Sequence, residues 1–209
     1  MASKSEIPAR SASLTMSDGI DSTTLSLLRA SFVACFALLI LFFIFAADGN
    51  ADEGFYLVAS KLVYQGNLLY RDFHYTQMPL LPYVYGVPQL IFGNSLYVGR
   101  LTSVLLLVLS VVVMVKTARL LAGKGSVIWI ALLLGTNWWF IYLGTITKTH
   151  ALVYLLVALS VYVCAKEIYV PPEQAQTTKR ARLLILGTVF AGTAVLARLP
   201  SLGFAAVLF

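Results

Sequence analysis

The chain has 209 residues, of which 59% are hydrophobic and only 11% charged, with a net charge of +6 and a mean hydropathy of +0.85. A soluble domain carries about 25% charged residues, so this composition excludes an ordinary soluble fold and points to a polytopic membrane protein. The positive balance is no sign of nucleic-acid binding, because the basic residues cluster in short connections between apolar runs, as the positive-inside rule expects.

Residues 1–29 are rich in Ser and Thr with mixed charge and show no cleavable secretory signal, so they read as a disordered cytoplasmic tail. The uncharged run 30–47 has the composition of a first span. A transmembrane helix needs about 20 apolar residues, and five segments approach that length: 30–47, 98–115, 126–144, 150–165 and 183–197. A sixth begins near 201. The chain stops inside that apolar stretch, which suggests that it belongs to a longer protein. The expected fold is therefore an all-α polytopic membrane domain over 30–209, with about five to six transmembrane helices.

Between the first two spans lies 48–97, a connection rich in tyrosine and net acidic. Within it, Phe55, Val58, Ala59, Leu62 and Val63 recur at spacings of three and four, which predicts an amphipathic helix over 51–65 lying on the outer membrane surface. Gly66-Asn67 is a natural helix stop. The apolar run Leu80–Phe92 contains Pro82 and Pro88 and is too short for a span, so it reads as interfacial or re-entrant.

Charge sets the expected orientation. The connection 116–125 carries Lys116, Arg119 and Lys124, and 166–182 is also basic, so both should be cytoplasmic. The N-terminus is then cytoplasmic, and 48–97 and 145–149 face outward. Cys35 and Cys164 both fall in expected spans and read as reduced, buried thiols.

The chemistry-bearing residues gather at the expected outer face. Asp52-Glu53 stand at a helix start, where carboxylates are stabilised by the macrodipole; alternatively, one is a general base beside a second acid. Arg71-Asp72 is either a surface ion pair or part of a binding site. Arg100 opens a span from the acidic side and either snorkels to headgroups or forks a phosphate group. Lys148, His150 and Arg198 lie near outer span ends. Interfacial solvation accounts for each singly, and an anionic lipid-linked substrate accounts for them together. Tyr56, Tyr64, Tyr70, Phe73, Tyr75, Tyr83 and Tyr85 form an interfacial aromatic belt or a stacking surface.

The ordered set Asp52-Glu53, Tyr56, Gly66-x-x-x-Tyr70-Arg71-Asp72, Pro79, Phe92-Gly93-x-Ser95 and Arg100 resembles the N-terminal part of the GT-C membrane glycosyltransferases, nearest the protein O-mannosyltransferase, aminoarabinose transferase and Rgt-like enzymes. The resemblance covers about residues 30–200. It implies an enzyme that moves a sugar from a polyprenyl-phosphate donor to a hydroxyl of a glycan, lipid or protein acceptor, with inversion, on the extracytoplasmic face. It implies Asp52 as base, Glu53 as its support or as ligand to a divalent ion, and Arg100 with Lys148 or Arg198 on the donor phosphate. Relatives carry an acid near the outer start of the fourth span, where this chain has Lys148-Thr149-His150, so the metal and any other cofactor stay unassigned. Two other readings are a transporter or flippase fragment for an anionic lipid-linked substrate and a non-catalytic membrane scaffold.

Overall fold

The computed structural model describes residues 22–45, 49, 51–168 and 177–208. Residues 1–21, most of the expected tail, lie outside them. The chain divides into two compact units, Met1–Cys35 and Phe36–Phe209. In the first, the described residues are helical from Ser22, the start of α1 (Ser22–Phe45). The second contains the end of α1, then α2 (Ala51–Tyr64), α3 (Leu80–Phe92), α4 (Leu96–Ala122), α5 (Ser126–Thr136), α6 (Trp138–Thr145), α7 (Thr149–Ile168), α8 (Thr177–Ala197) and α9 (Ser201–Leu208). Among the described residues, extended pairing is limited to an isolated bridge between Leu69 and Phe73.

Local chemistry sets the helix boundaries. In α2, Asp52 and Glu53 occupy the first turn and Lys61 the last, each sign matched to its end of the helix dipole. The chain leaves α2 at Gly66, whose φ of 93° suits glycine, and the Asn67 N–H closes onto the Leu62 carbonyl. The Ser95 hydroxyl accepts from Tyr97 N–H at the head of α4, and Gly123 ends that helix at φ 76°. Asn137 breaks the next apolar run. Its side chain caps α6 by accepting from Phe140 N–H at 3.0 Å, and the axes of α5 and α6 differ by 70°.

Three apolar clusters hold the second unit. Ile40, Phe43 and Ile44 of α1 pack on Leu107, Leu134, Phe140 and Ile141. Tyr56 and Ala59 of α2 pack on Leu69, Tyr75, Leu81 and Tyr85. Leu152 and Leu156 of α7 pack on Ala194 and Ala197 of α8. Small residues at that last contact let the backbones approach closely, and Ser160 donates across it to the Gly187 carbonyl at 2.9 Å.

Three sequence expectations are corrected here. Five to six spans were expected; among the described residues two helices are long and apolar enough to cross a membrane, Leu96–Ala122 and Thr149–Glu167, and a third only if the bent α5–α6 pair counts as one span. Among the described residues the shorter apolar helical stretches are Phe36–Phe45, Leu80–Phe92 and Ala181–Ala197. The stretch expected to begin a sixth span is helical, as α9.

The amphipathic surface helix is corrected as well. The buried residues of α2 are Glu53, Tyr56, Leu57, Ala59 and Ser60, while Phe55 and Val58 of the expected apolar stripe are exposed. The helix is rolled so that a carboxylate faces inward, because a buried arginine waits for it there. The third correction concerns the enzyme family that the resemblance implied.

Candidate functional site

Of the sequence-selected polar residues, Asp52, Glu53, Arg100, Lys148, His150 and Arg198 converge at one end of the second unit, where α1 and α8 end and α4 and α7 begin. At the centre is a fully buried ion pair. Arg100 of α4 donates from Nε to Glu53 Oε1 at 3.0 Å and from Nη2 to Oε2 at 2.8 Å, the bidentate fork that suits a carboxylate. Its Nη1 donates to the carbonyls of Phe43 at 3.2 Å and Ile44 at 2.9 Å. These are last-turn acceptors of α1, which lack intrahelical donors. Glu53 Oε1 also accepts from Thr147 N–H at 2.8 Å. One carboxylate and one guanidinium thus join α1, α2, α4 and the segment between α6 and α7.

A second polar knot lies beside it. The Tyr85 hydroxyl of α3 meets Ser103 Oγ at 2.9 Å and the Lys148 carbonyl at 3.3 Å, and Ser103 Oγ lies 2.9 Å from the Ile146 carbonyl. Close packing supports this knot: a Cβ at Gly99 would lie 2.6 Å from Thr147 Oγ1 and 2.7 Å from Leu57 Cδ2. The segment 146–148 is therefore held from three sides, which aims the Lys148 side chain. Its Nζ pairs with Asp52 Oδ2 at 2.7 Å, in a partly exposed contact.

Arg198, just past α8, forms the other half of the cluster. Its Nη1 contacts His150 Nε2 at the head of α7. A guanidinium has only donors, so this contact assigns His150 the neutral form that accepts through Nε2 and carries its proton on Nδ1. That Nδ1 is buried without a hydrogen-bond partner. Arg198 also lines an open cavity of about 440 Å³ with Tyr70, Thr76, Gln77, Met78, Leu199 and Pro200. Tyr70 has a φ of 67°, unusual for a residue with a side chain, and its hydroxyl donates to the Gln77 carbonyl at 2.6 Å. That bond fixes the cavity wall.

Burial, and after it the charge of Asp52, raises the Tyr56 hydroxyl above the ordinary tyrosine range, while Arg198 pulls it down. Asp52, Tyr56 and Arg198 therefore share one electrostatic neighbourhood. Arg71 and Asp72 stand apart from it. They pair with each other through Nε–Oδ1 at 2.8 Å and Nη2–Oδ2 at 3.0 Å, and Asp72 Oδ2 accepts from Leu68 N–H at 2.8 Å. The hydrogen bonds from Arg71 and then Leu68 hold the Asp72 carboxyl below its usual range.

The structure thus brings Asp52 to Lys148, Glu53 to Arg100, and His150 to Arg198. The sequence reading passed over Gln89, Ser103 and Thr147, and took Tyr85 only as part of an aromatic belt or stacking surface. Their signal was visible as hydroxyls and an amide inside otherwise apolar runs.

No family model matches this chain, and neither does any curated protein or solved structure. The GT-C resemblance, with the glycosyltransferase activity and polyprenyl-phosphate donor it implied, is corrected accordingly. Among the described residues the spans number two or three, and no group of three or more His, Cys, Asp or Glu side chains is placed to hold a metal ion. Both acids of the pair are also already engaged, Glu53 by Arg100 and Asp52 by Lys148.

Proposed function

We propose that this chain is a membrane-embedded binding protein for a phosphate-bearing amphiphile, recognised at Arg198. The observation that carries this reading is the half-buried Arg198 guanidinium, which meets a neutral His150 and lines an open cavity. A guanidinium beside a neutral imidazole keeps its full charge for an incoming anion, and its fork matches phosphate geometry. Lys148 and Asp52 flank the site as an ion pair, and the Glu53–Arg100 pair positions the helix ends around it.

In this reading the N-terminus is cytoplasmic and the end bearing Arg198 faces outward. Lys116, Arg119 and Lys124 support it, since they follow the apolar part of α4 at its far end. The test is isothermal titration of the full chain in phosphatidylcholine nanodiscs with dodecyl phosphate, using dodecanol as the uncharged control. Arg198→Gln should weaken dodecyl phosphate binding about tenfold, as loss of a charge-assisted hydrogen bond does. Binding at the wild-type level in that variant would rule the reading out.

A further inference from the structure

A second, smaller cavity of about 200 Å³ opens between α2 and α3, lined by Ser60, Lys61, Tyr64, Gln65, Gly86, Gln89, Leu90 and Asn94. None of its lining residues belongs to the Arg198 cavity. Its wall carries an anomaly: the Gln89 side chain is 6% exposed, and neither its Oε1 nor its Nε2 has a hydrogen-bond partner. A carboxamide offers two donors and one acceptor, and burying it unsatisfied is costly. In a 13-residue helix that is otherwise apolar apart from its tyrosines, such a residue needs a reason.

Helix packing keeps the cavity shallow and close to Gln89. Gly86 lets α3 press against Tyr64, since a Cβ there would lie 2.2 Å from Tyr64 Cε2. Tyr64 is in turn anchored by donating to the Tyr83 carbonyl at 2.9 Å. Ser60 Oγ donates to the Tyr56 carbonyl at 2.8 Å, so what the hydroxyl has left to offer is its lone pairs, as an acceptor. The polar groups at the rim are the amides of Gln65 and Asn94 and the ammonium of Lys61. Leu90 of the lining shares an exposed face of α3 with Val87 and Ile91, which lie outside the cavity and are exposed as well.

One amide and a hydroxyl within, two amides and one cation at the rim, and an apolar strip outside form the complement of one ligand class. We infer that the α2–α3 cavity binds a phosphate ester carrying a free hydroxyl, with its polar end on Gln89 and its phosphate on Lys61. The exposed strip favours a ligand with an acyl chain, such as a hydroxylated anionic phospholipid from the surrounding bilayer. A water occupies about 30 Å³ of liquid, so the cavity holds a group several waters in size, on the scale of a phosphoglycerol headgroup.

The test uses the full chain in phosphatidylcholine nanodiscs with 15N-labelled glutamine, the Gln89 side-chain amide signals being assigned by their loss in Gln89→Leu. Dioctanoyl phosphatidylglycerol should shift those signals saturably, and dioctanoyl phosphatidylcholine should not. Lys61→Gln should weaken the phosphatidylglycerol response about tenfold, the loss of one charged hydrogen-bond partner. Gln89→Leu should reduce retention of phosphatidylglycerol in native mass spectra by a similar factor. Lys61 is exposed, so Lys61→Gln, read by phosphatidylglycerol retention in native mass spectra, keeps the test valid even if Gln89→Leu does not fold. Glycerol 3-phosphate producing the same shift at equal affinity would assign the site to a soluble phosphate ester; a response to the lipid alone would assign it to the bilayer. Gln89 signals indifferent to every phosphate ester would mark a water-filled hollow and overturn the inference, as would wild-type affinity in Lys61→Gln. Arg198→Gln should leave the Gln89 response unchanged, which separates this site from the Arg198 cavity.

Discussion

Glu53 and Arg100, 47 positions apart in sequence, meet as a fully buried bidentate pair whose remaining guanidinium donor caps the carbonyl end of α1. Every polar atom of this contact is answered: two carboxylate oxygens by Arg100 and one of them also by Thr147 N–H, and Nη1 by two carbonyls. Full satisfaction is what allows charges to stand in such a place at all.

Breaking one side of the pair should therefore cost far more than removing both. Glu53→Gln leaves a buried guanidinium without its counter-charge, and such single losses cost about 3–5 kcal/mol. Glu53→Leu combined with Arg100→Met replaces both charges by apolar groups and should recover a large part of that loss. The measurement is denaturant-induced unfolding of the three proteins in detergent micelles. A Glu53→Gln variant within about 1 kcal/mol of wild type would be at odds with a buried pair that is worth keeping.

How far the sequence foretold this arrangement differs by element. Helices at 80–92, 96–122 and 149–168 are legible because long apolar runs are bounded by Ser95, Gly123 and the polar stretch before His150. The break at Asn137 was not, because Trp138 and Trp139 continue the apolar composition straight through it. Composition measures only transfer into lipid, whereas the bend depends on one side chain capping α6. The pairings among the selected residues were not legible: Glu53 meets Arg100, Asp52 meets Lys148 and His150 meets Arg198, while Arg71 and Asp72 pair with each other elsewhere. Asp52 and Glu53 are adjacent in sequence, but successive helical positions point about 100° apart, so one meets Lys148 and the other Arg100. The apolar stripe of α2 misled because periodicity cannot register that a charged residue has a buried partner 47 positions away.

The contact between α4 and α6 supplies a second prediction. A Cβ at Gly144 would lie 2.6 Å from Leu107 Cδ1 and 3.1 Å from Cδ2, and Leu107 is fully buried. The leucine has no open space to move into, so Gly144→Ala should destabilise the protein by about 1–3 kcal/mol, the range for overpacking. Leu107→Val removes a methylene where the new methyl group must sit. The double variant should then be more stable than the sum of the two single effects predicts. Thermal melting of all four proteins reads this coupling, and strict additivity would mean that the two residues do not compete for the same space.

The turn before α3 should respond to acid in one direction only. Asp72 accepts from Arg71 and from the Leu68 amide, and these bonds hold its carboxyl below the ordinary value. A carboxyl whose pKa is lowered on folding stabilises the folded turn above the unfolded value, about 3.9 for aspartate. That contribution fades as pH falls through the lower folded value. The pair is exposed, so the effect belongs to the turn and is screened by salt. In the NMR spectrum the Leu68 amide proton should move upfield as pH drops beneath the usual aspartate range, reporting loss of its 2.8 Å bond to Oδ2. In Asp72→Asn the same proton should show no such titration, because the side chain no longer ionises. A midpoint for wild type at or above the ordinary aspartate value would contradict the assignment of Asp72 as the carboxylate that holds this turn.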